Sequence, residues 1–144
     1  MKHWGRIKNN LDSKGRISLP ARFRQEGVEY YVINDGLDGC LFLYTPQQYE
    51  QSLEKIKERA SSKKSVRHYM RRWTKYATDV RLDGQGRILV PAELLELRNF
   101  KKEVIFQGTN DRIELWDPEV QEKYDREVNE KYPVTDDDLA DLLD

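Results

Sequence analysis

The stretch Leu11-Asp12-Ser13-Lys14-Gly15-Arg16-Ile17-Ser18-Leu19-Pro20-Ala21 returns 71 residues later as Leu82-Asp83-Gly84-Gln85-Gly86-Arg87-Ile88-Leu89-Val90-Pro91-Ala92, with seven of the eleven positions identical. The likeness continues after one extra residue: Val32-Ile33 aligns with Val104-Ile105, Gly36 with Gly108, Leu41 and Leu43 with Ile113 and Leu115, and Tyr44-Thr45-Pro46 with Trp116-Asp117-Pro118. An internal repeat organises a chain before any single residue does, so the sequence reads as a tandem duplication.

Working outward, each copy has the same local grammar. Residues 6–11 and 78–82 suit short strands, the Asp-x-x-Gly that follows supplies turn chemistry, and Arg-Ile begins a returning strand, which predicts a β-hairpin. Pro20 and Pro91 open short helices over residues 21–25 and 92–98, because proline lacks only an N–H that a first helical turn leaves unpaired anyway. Residues 30–34 with 40–44, and 104–107 with 112–116, form a second strand pair. Thr45-Pro46-Gln47-Gln48 has the form of a capping box, matched by Asp117-Pro118. A unit of about 45 residues buries too little apolar surface alone, so the two copies are expected to close on each other. The expected fold class is α+β, a barrel-like body with an internal pseudo-twofold axis.

The expected organisation is a first repeat at 1–46, a helical connector at 47–77, a second repeat with its following helix at 78–132, and an acidic C-terminal tail at 133–144. In the connector, Tyr49, Leu53, Ile56 and Ala60 form one apolar stripe; after Ser61-Ser62 a second runs through Val66, Tyr69/Met70, Trp73 and Ala77. Both read as core-facing. The other face of the second helix carries Lys64, Arg67, His68, Arg71, Arg72 and Lys75, the most basic run in the chain. The tail, with Leu139, Leu142 and Leu143 among five aspartates, reads as frayed or as a short capped helix, and would screen a basic surface against non-specific DNA.

Of the 144 residues, 25 are Lys or Arg and 26 Asp or Glu, a net charge of −1. That neutrality is a cancellation: residues 1–78 hold 16 basic and 8 acidic side chains, residues 79–144 hold 9 and 18. Phosphates respond to charge within a Debye length of about 8–10 Å, so polyanion binding stays open. With a mean hydropathy of −0.89 and no apolar run near the roughly 18 residues of a membrane span, an integral membrane protein is not expected. The first six residues are followed by polar ones rather than by an apolar segment, which predicts a cytoplasmic protein. Cys40 has no internal disulfide partner, and Cys40, His3 and His68 offer no zinc spacing, so neither metal nor cofactor is expected.

Asp12 and Asp83 read as turn-structuring groups, with Gly15 and Gly86 taking positive φ; the bland alternative for Arg16 and Arg87 is an ion pair with them. The functional reading is that the two guanidinium groups, flanked by Lys14, Arg22 and Arg24, meet phosphates or guanine edges in a major groove, which admits a two-stranded ribbon. An acid–base pair of aspartates is disfavoured because each is bound into its own turn, so no enzyme is expected.

The paired L-D-x-K/Q-G-R-I segments at this separation, the Val-Ile-x-x-Gly strand and Ile113-Glu114-Leu115-Trp116-Asp117-Pro118 resemble the MraZ family of bacterial transcriptional regulators, which have two tandem AbrB-like domains. The resemblance covers residues 1–132. It implies a double-split β-barrel with helices, assembled into homo-oligomeric rings, nucleoid-associated, binding short direct repeats in double-stranded DNA upstream of the division and cell-wall gene cluster, including its own gene. It maps DNA contact onto Arg16 and Arg87, with Lys14 the basic neighbour in the first copy and Gln85 in its place in the second. A protein-binding or antitoxin-type AbrB module is the alternative. Linked subunits gain by effective concentration, so boxes about one helical turn, 10–10.5 bp, apart are expected. The basic and acidic halves would orient the subunits.

Overall fold

The computed structural model describes residues 3–144. Eight strands and five α-helices follow one another in the order β1 (Arg6–Asn10), β2 (Arg16–Ser18), a 3-10 turn (Ala21–Phe23), β3 (Tyr30–Asp35), β4 (Leu41–Tyr44), α1 (Pro46–Arg59), α2 (Lys63–Thr74), β5 (Thr78–Arg81), β6 (Arg87–Leu89), α3 (Ala92–Leu97), β7 (Glu103–Gly108), β8 (Ile113–Trp116), α4 (Pro118–Lys131) and α5 (Asp136–Leu143). The fold is α+β and antiparallel: one six-stranded sheet ordered β1-β7-β8-β4-β3-β5, and a two-stranded ribbon of β2 and β6.

The copies are interlocked. β1 of the first copy pairs with β7 of the second (Ile7 opposite Phe106), and β5 of the second with β3 of the first (Val80 opposite Tyr31). Their junction is β4 against β8, where Phe42 faces Glu114, and the ribbon sets Ile17 opposite Ile88. In each case a residue meets its own repeat-mate, so the pseudo-twofold axis passes through both pairs.

Three expectations need correction. The Asp-x-x-Gly turns exist, closed by Asp12 N–H to Arg16 O (2.8 Å) and Asp83 N–H to Arg87 O (2.9 Å), but the flanking strands are not a hairpin. After one turn they diverge, β1 and β5 into the large sheet and β2 and β6 into the ribbon, because Ile17 and Ile88 bury themselves against each other. Nor is the expected double-split barrel closed by hydrogen bonds. The large sheet keeps β1 and β5 as edges, and ribbon strands of three residues do not bridge them.

The third correction concerns the repeat alignment. Val32 and Ile105 pack on one face of the sheet, Ile33 and Phe106 on the other; because strand side chains alternate faces, Val32 corresponds to Ile105 and Ile33 to Phe106, one residue beyond the match by identity. Gly36 likewise corresponds to Thr109, since Gly36 N–H to Cys40 O and Thr109 N–H to Arg112 O close the two β-turns. The second turn is one residue shorter, which restores the alignment at β4 and β8.

That alternation sorts the core into two layers. Ile17, Leu19, Phe23, Ile88, Val90 and Leu94 pack onto Tyr31, Ile33, Leu41, Leu43, Phe106, Ile113 and Leu115 on one face of the sheet. Val32, Phe42, Tyr44, Ile105 and Trp116 point to the opposite face, where Tyr49, Leu53, Trp73, Val120 and Tyr124 of α1, α2 and α4 cover them. Burying each such side chain contributes about 1.5–3 kcal/mol, and neither copy builds either layer alone. Ribbon and long helices thus lie on opposite faces of the sheet.

The helix ends follow the sequence signals. Thr45 and Gln48 complete their capping box, Ser62 starts α2 by accepting from Ser65 N–H, and Asp117 caps α4 through Glu119 and Val120 N–H. The acidic end is the capped helix rather than the frayed tail: Thr135 and Asp138 form a second complete box at the start of α5.

Candidate nucleic-acid interface

In each turn the aspartate is the organiser. Asp12 Oδ1 accepts from the backbone N–H groups of Lys14 and Arg16 (both 2.9 Å), and Oδ2 from Arg16 Nε (2.8 Å). Asp83 repeats this, with Gln85 and Arg87 N–H at 2.8 and 2.9 Å and Arg87 Nε at 2.8 Å. Gly15 and Gly86 supply the φ values of +85° and +74° that the turns need, a region costly for other residues. The backbone N–H of Arg16, its side chain and the N–H of Lys14 pull the Asp12 carboxyl down from 3.8 to about 2. Asp83 is lowered chiefly by the Arg87 N–H, with Gln85 N–H and the Arg87 side chain adding to it. Neither carboxyl holds a proton at neutral pH, so neither is poised as a general acid.

The ion pairs form, yet they consume only Nε of each arginine. Among the described residues neither Arg16 nor Arg87 donates a hydrogen bond through Nη; the nearest approach is Arg87 Nη1 to Asp12 Oδ2 across the repeats at 3.9 Å. Each guanidinium is therefore fixed at its base with its Nη donors not consumed by hydrogen bonds, and a guanidinium with both Nη groups available suits bidentate acceptors.

The ribbon decides where those donors point. Ile17 and Ile88 are fully buried beneath it, so by alternation Arg16, Ser18, Arg87 and Leu89 occupy its outer face. Arg16 sits opposite Leu89 and Arg87 opposite Ser18, which makes the two arginines diagonal neighbours, about 7–8 Å apart along the ribbon. Reciprocal bonds from Leu19 N–H to Gly86 O and Val90 N–H to Gly15 O, both 3.0 Å, lock the turns to the ribbon. Ser18 and Leu89 were not singled out from the sequence, although the two-residue alternation from Arg16 and Arg87 signals them.

The remaining candidates divide. Lys14 and Gln85 occupy equivalent exposed turn positions. Arg24 belongs to the first copy but reaches the second copy's turn: a Cβ on Gly86 would lie 2.5 Å from Arg24 Nη1. Leu95, its repeat-mate, lies in the same way beside Gly15, at 3.5 Å. One turn thus has Lys14 and Arg16 and the other Arg24 and Arg87, so the exchange returns to the second turn the cation that Gln85 removes. Arg22 is not brought to either turn. Its guanidinium packs beside Gly5, at the far end of β1 from Asp12, with Nε buried and unpaired.

Fold and site together define an internally duplicated α+β protein whose copies exchange strands and present an arginine-bearing two-stranded ribbon. The family model described as "MraZ protein, putative antitoxin-like" matches residues 5–72 and 74–142. Similar proteins bear the name "Transcriptional regulator MraZ": one from Caldanaerobacter subterraneus subsp. tengcongensis is 38% identical over 140 residues, covering 97% of this chain and 95% of that protein. One from a Thermoanaerobacter species is 37% identical over 138 residues, 96% of each chain, and one from Thermoanaerobacter pseudethanolicus 36% over 140 residues, 97% and 95%. The chain belongs to the MraZ family.

Proposed function

We propose that this protein is a sequence-specific DNA-binding transcriptional regulator, and that the outer face of the β2–β6 ribbon is what enters the major groove. The observation that carries this reading is the diagonal pair Arg16 and Arg87, each fixed through Nε with its Nη donors free. A two-stranded ribbon fits the width of the major groove, and an arginine fork matches guanine O6 and N7. Leu89, 56% exposed between the arginines, offers an apolar contact of the kind a thymine methyl accepts. Lys14 and Arg24 serve the flanking phosphates, which give affinity without sequence preference. The relatives' name supports regulation of transcription. The family resemblance further suggests cytoplasmic, nucleoid-associated homo-oligomeric rings acting on short direct repeats before the division and cell-wall gene cluster.

Gel shifts on the chain's own upstream DNA test this with wild type, Arg16→Ala, Arg87→Ala and the double variant. Loss of about 1–3 kcal/mol per arginine with relaxed sequence preference is expected. Full-affinity binding by the folded double variant overturns the reading and turns attention to an antitoxin-type protein partner.

A further inference from the structure

The strongest positive charge in the molecule is not at the ribbon. α2 carries Lys63, Lys64, Arg67, Arg71 and Arg72 with no acidic residue. Its first two lysines sit at the positive end of the helix dipole, where cations are disfavoured. Since α1 and α2 cover the sheet face opposite the ribbon, a duplex gripped by Arg16 and Arg87 does not also reach them. Between α1, α2 and the β3–β4 turn runs a groove of about 850 Å³, whose lining includes the apolar Leu37, Ile56 and Tyr69 and the cationic Arg59, Arg71 and Arg72. Leu37 and Tyr69 are about half exposed, and the three arginines make no ion pair among the described residues. Asp35, the acidic residue of the lining, is already held by both ends of the Arg98 fork at 2.6 and 2.9 Å. The C-terminal end of α2 is tied to α1 and β3, because Tyr49 Oη and Asn34 Nδ2 both donate to Trp73 O while Trp73 Nε1 donates to Ser52 Oγ, each at 2.8 Å.

We propose that this groove receives helix α5 of a second copy of the chain. α5 is its chemical complement. Leu139, Leu142 and Leu143 line one side of it at helical spacing and are exposed at 50, 83 and 77%, and Asp136, Asp137, Asp138 and Asp141 supply the counter-charge. Three leucines and a few ion pairs cover too little area to hold two subunits by themselves. The contact is head-to-tail, however, so every subunit gives one helix and receives one, and closing the circle multiplies it. The proposal deepens the assembly part of the reading above and is independent of the DNA part.

Mixing full-length Leu142→Cys protein with full-length Leu37→Cys protein tests it, Cys40 being buried in both. Under mild oxidation the expected product is a disulfide-linked heterodimer, abundant in the mixture and scarce in either protein alone. Arg71→Glu/Arg72→Glu should raise the concentration of half-dissociation in light scattering about tenfold or more, and Asp138→Lys/Asp141→Lys in the mixed partner should restore assembly. Intact assemblies without the heterodimer overturn the proposal while leaving the DNA reading untouched; protection of the Leu37→Cys thiol by duplex DNA in place of α5 overturns the proposal and counts against the ribbon as the DNA face as well.

Discussion

Ile88→Ala removes everything beyond Cβ from a side chain with no exposed surface, whose strand partner Ile17 is equally enclosed. Such truncations cost about 2–5 kcal/mol depending on how far the site collapses. Collapse is restricted here, because the Leu19–Gly86 and Val90–Gly15 bonds hold both ribbon strands in place, so a cost of about 3–4 kcal/mol is expected. Ile17→Ala should match it to about 1 kcal/mol, since the pseudo-twofold axis makes the two sites equivalent. The loss is also global: with β1 in the second copy's half of the sheet and β5 in the first copy's, neither copy retains a core when the seam opens. Urea unfolding of single-tryptophan variants keeping Trp73, which packs from the connector onto Phe42 and Tyr44 of the first copy, or Trp116 of β8 in the second reports on each side of the seam, and both should move to the same lower midpoint with unchanged slope. Two separated transitions, or a cost below about 1 kcal/mol at both positions, would refute the interlocked core.

The Asp turns make stability depend on acid. Their folded pKa values lie below the ordinary 3.8, Asp12 at about 2, so their contribution is complete above about pH 4 and disappears as pH falls towards 2; Asp12→Asn/Asp83→Asn should flatten this limb of the urea midpoint against pH, and parallel curves would show the turns carry none of it. Gly86→Ala and Gly15→Ala should each cost about 1–2 kcal/mol for left-handed backbone, measurable by thermal melts. Only Gly86→Ala also displaces Arg24, so it should weaken DNA binding more in a titration. Arg98→Lys loses one arm of the fork on Asp35; about 1 kcal/mol, near 3 °C in melting temperature, is expected.

The duplication, the strand pairs β3–β4 and β7–β8, the caps at Thr45 and Asp117 and the turn role of Asp12 and Asp83 were legible because each rests on contacts within a few residues. What was not legible depends on the other copy. Nothing local distinguishes a hairpin from two strands that diverge after the same turn; that choice follows from Ile17 meeting Ile88. Aligning by identity set Val32 with Val104, whereas the two-residue period of the sheet sets Val32 with Ile105. Arg24 shows the same limit at the site, since its position beside Gly86 needs the strand exchange. The helix at the acidic end was readable from Thr135 and Asp138, but five aspartates among its last nine residues favoured fraying in a reading that weighted charge over the cap.

The most direct test of the account asks which face of the sheet meets DNA. A photo-crosslinking amino acid placed singly at Ser18 or Leu89 on the ribbon, or at Lys64 or Arg67 on α2, is irradiated with duplex DNA from the chain's own upstream region. Crosslinks from Ser18 and Leu89, competed away by the same unlabelled duplex and absent from α2, are the predicted result. Crosslinks from α2 with a silent ribbon would contradict it.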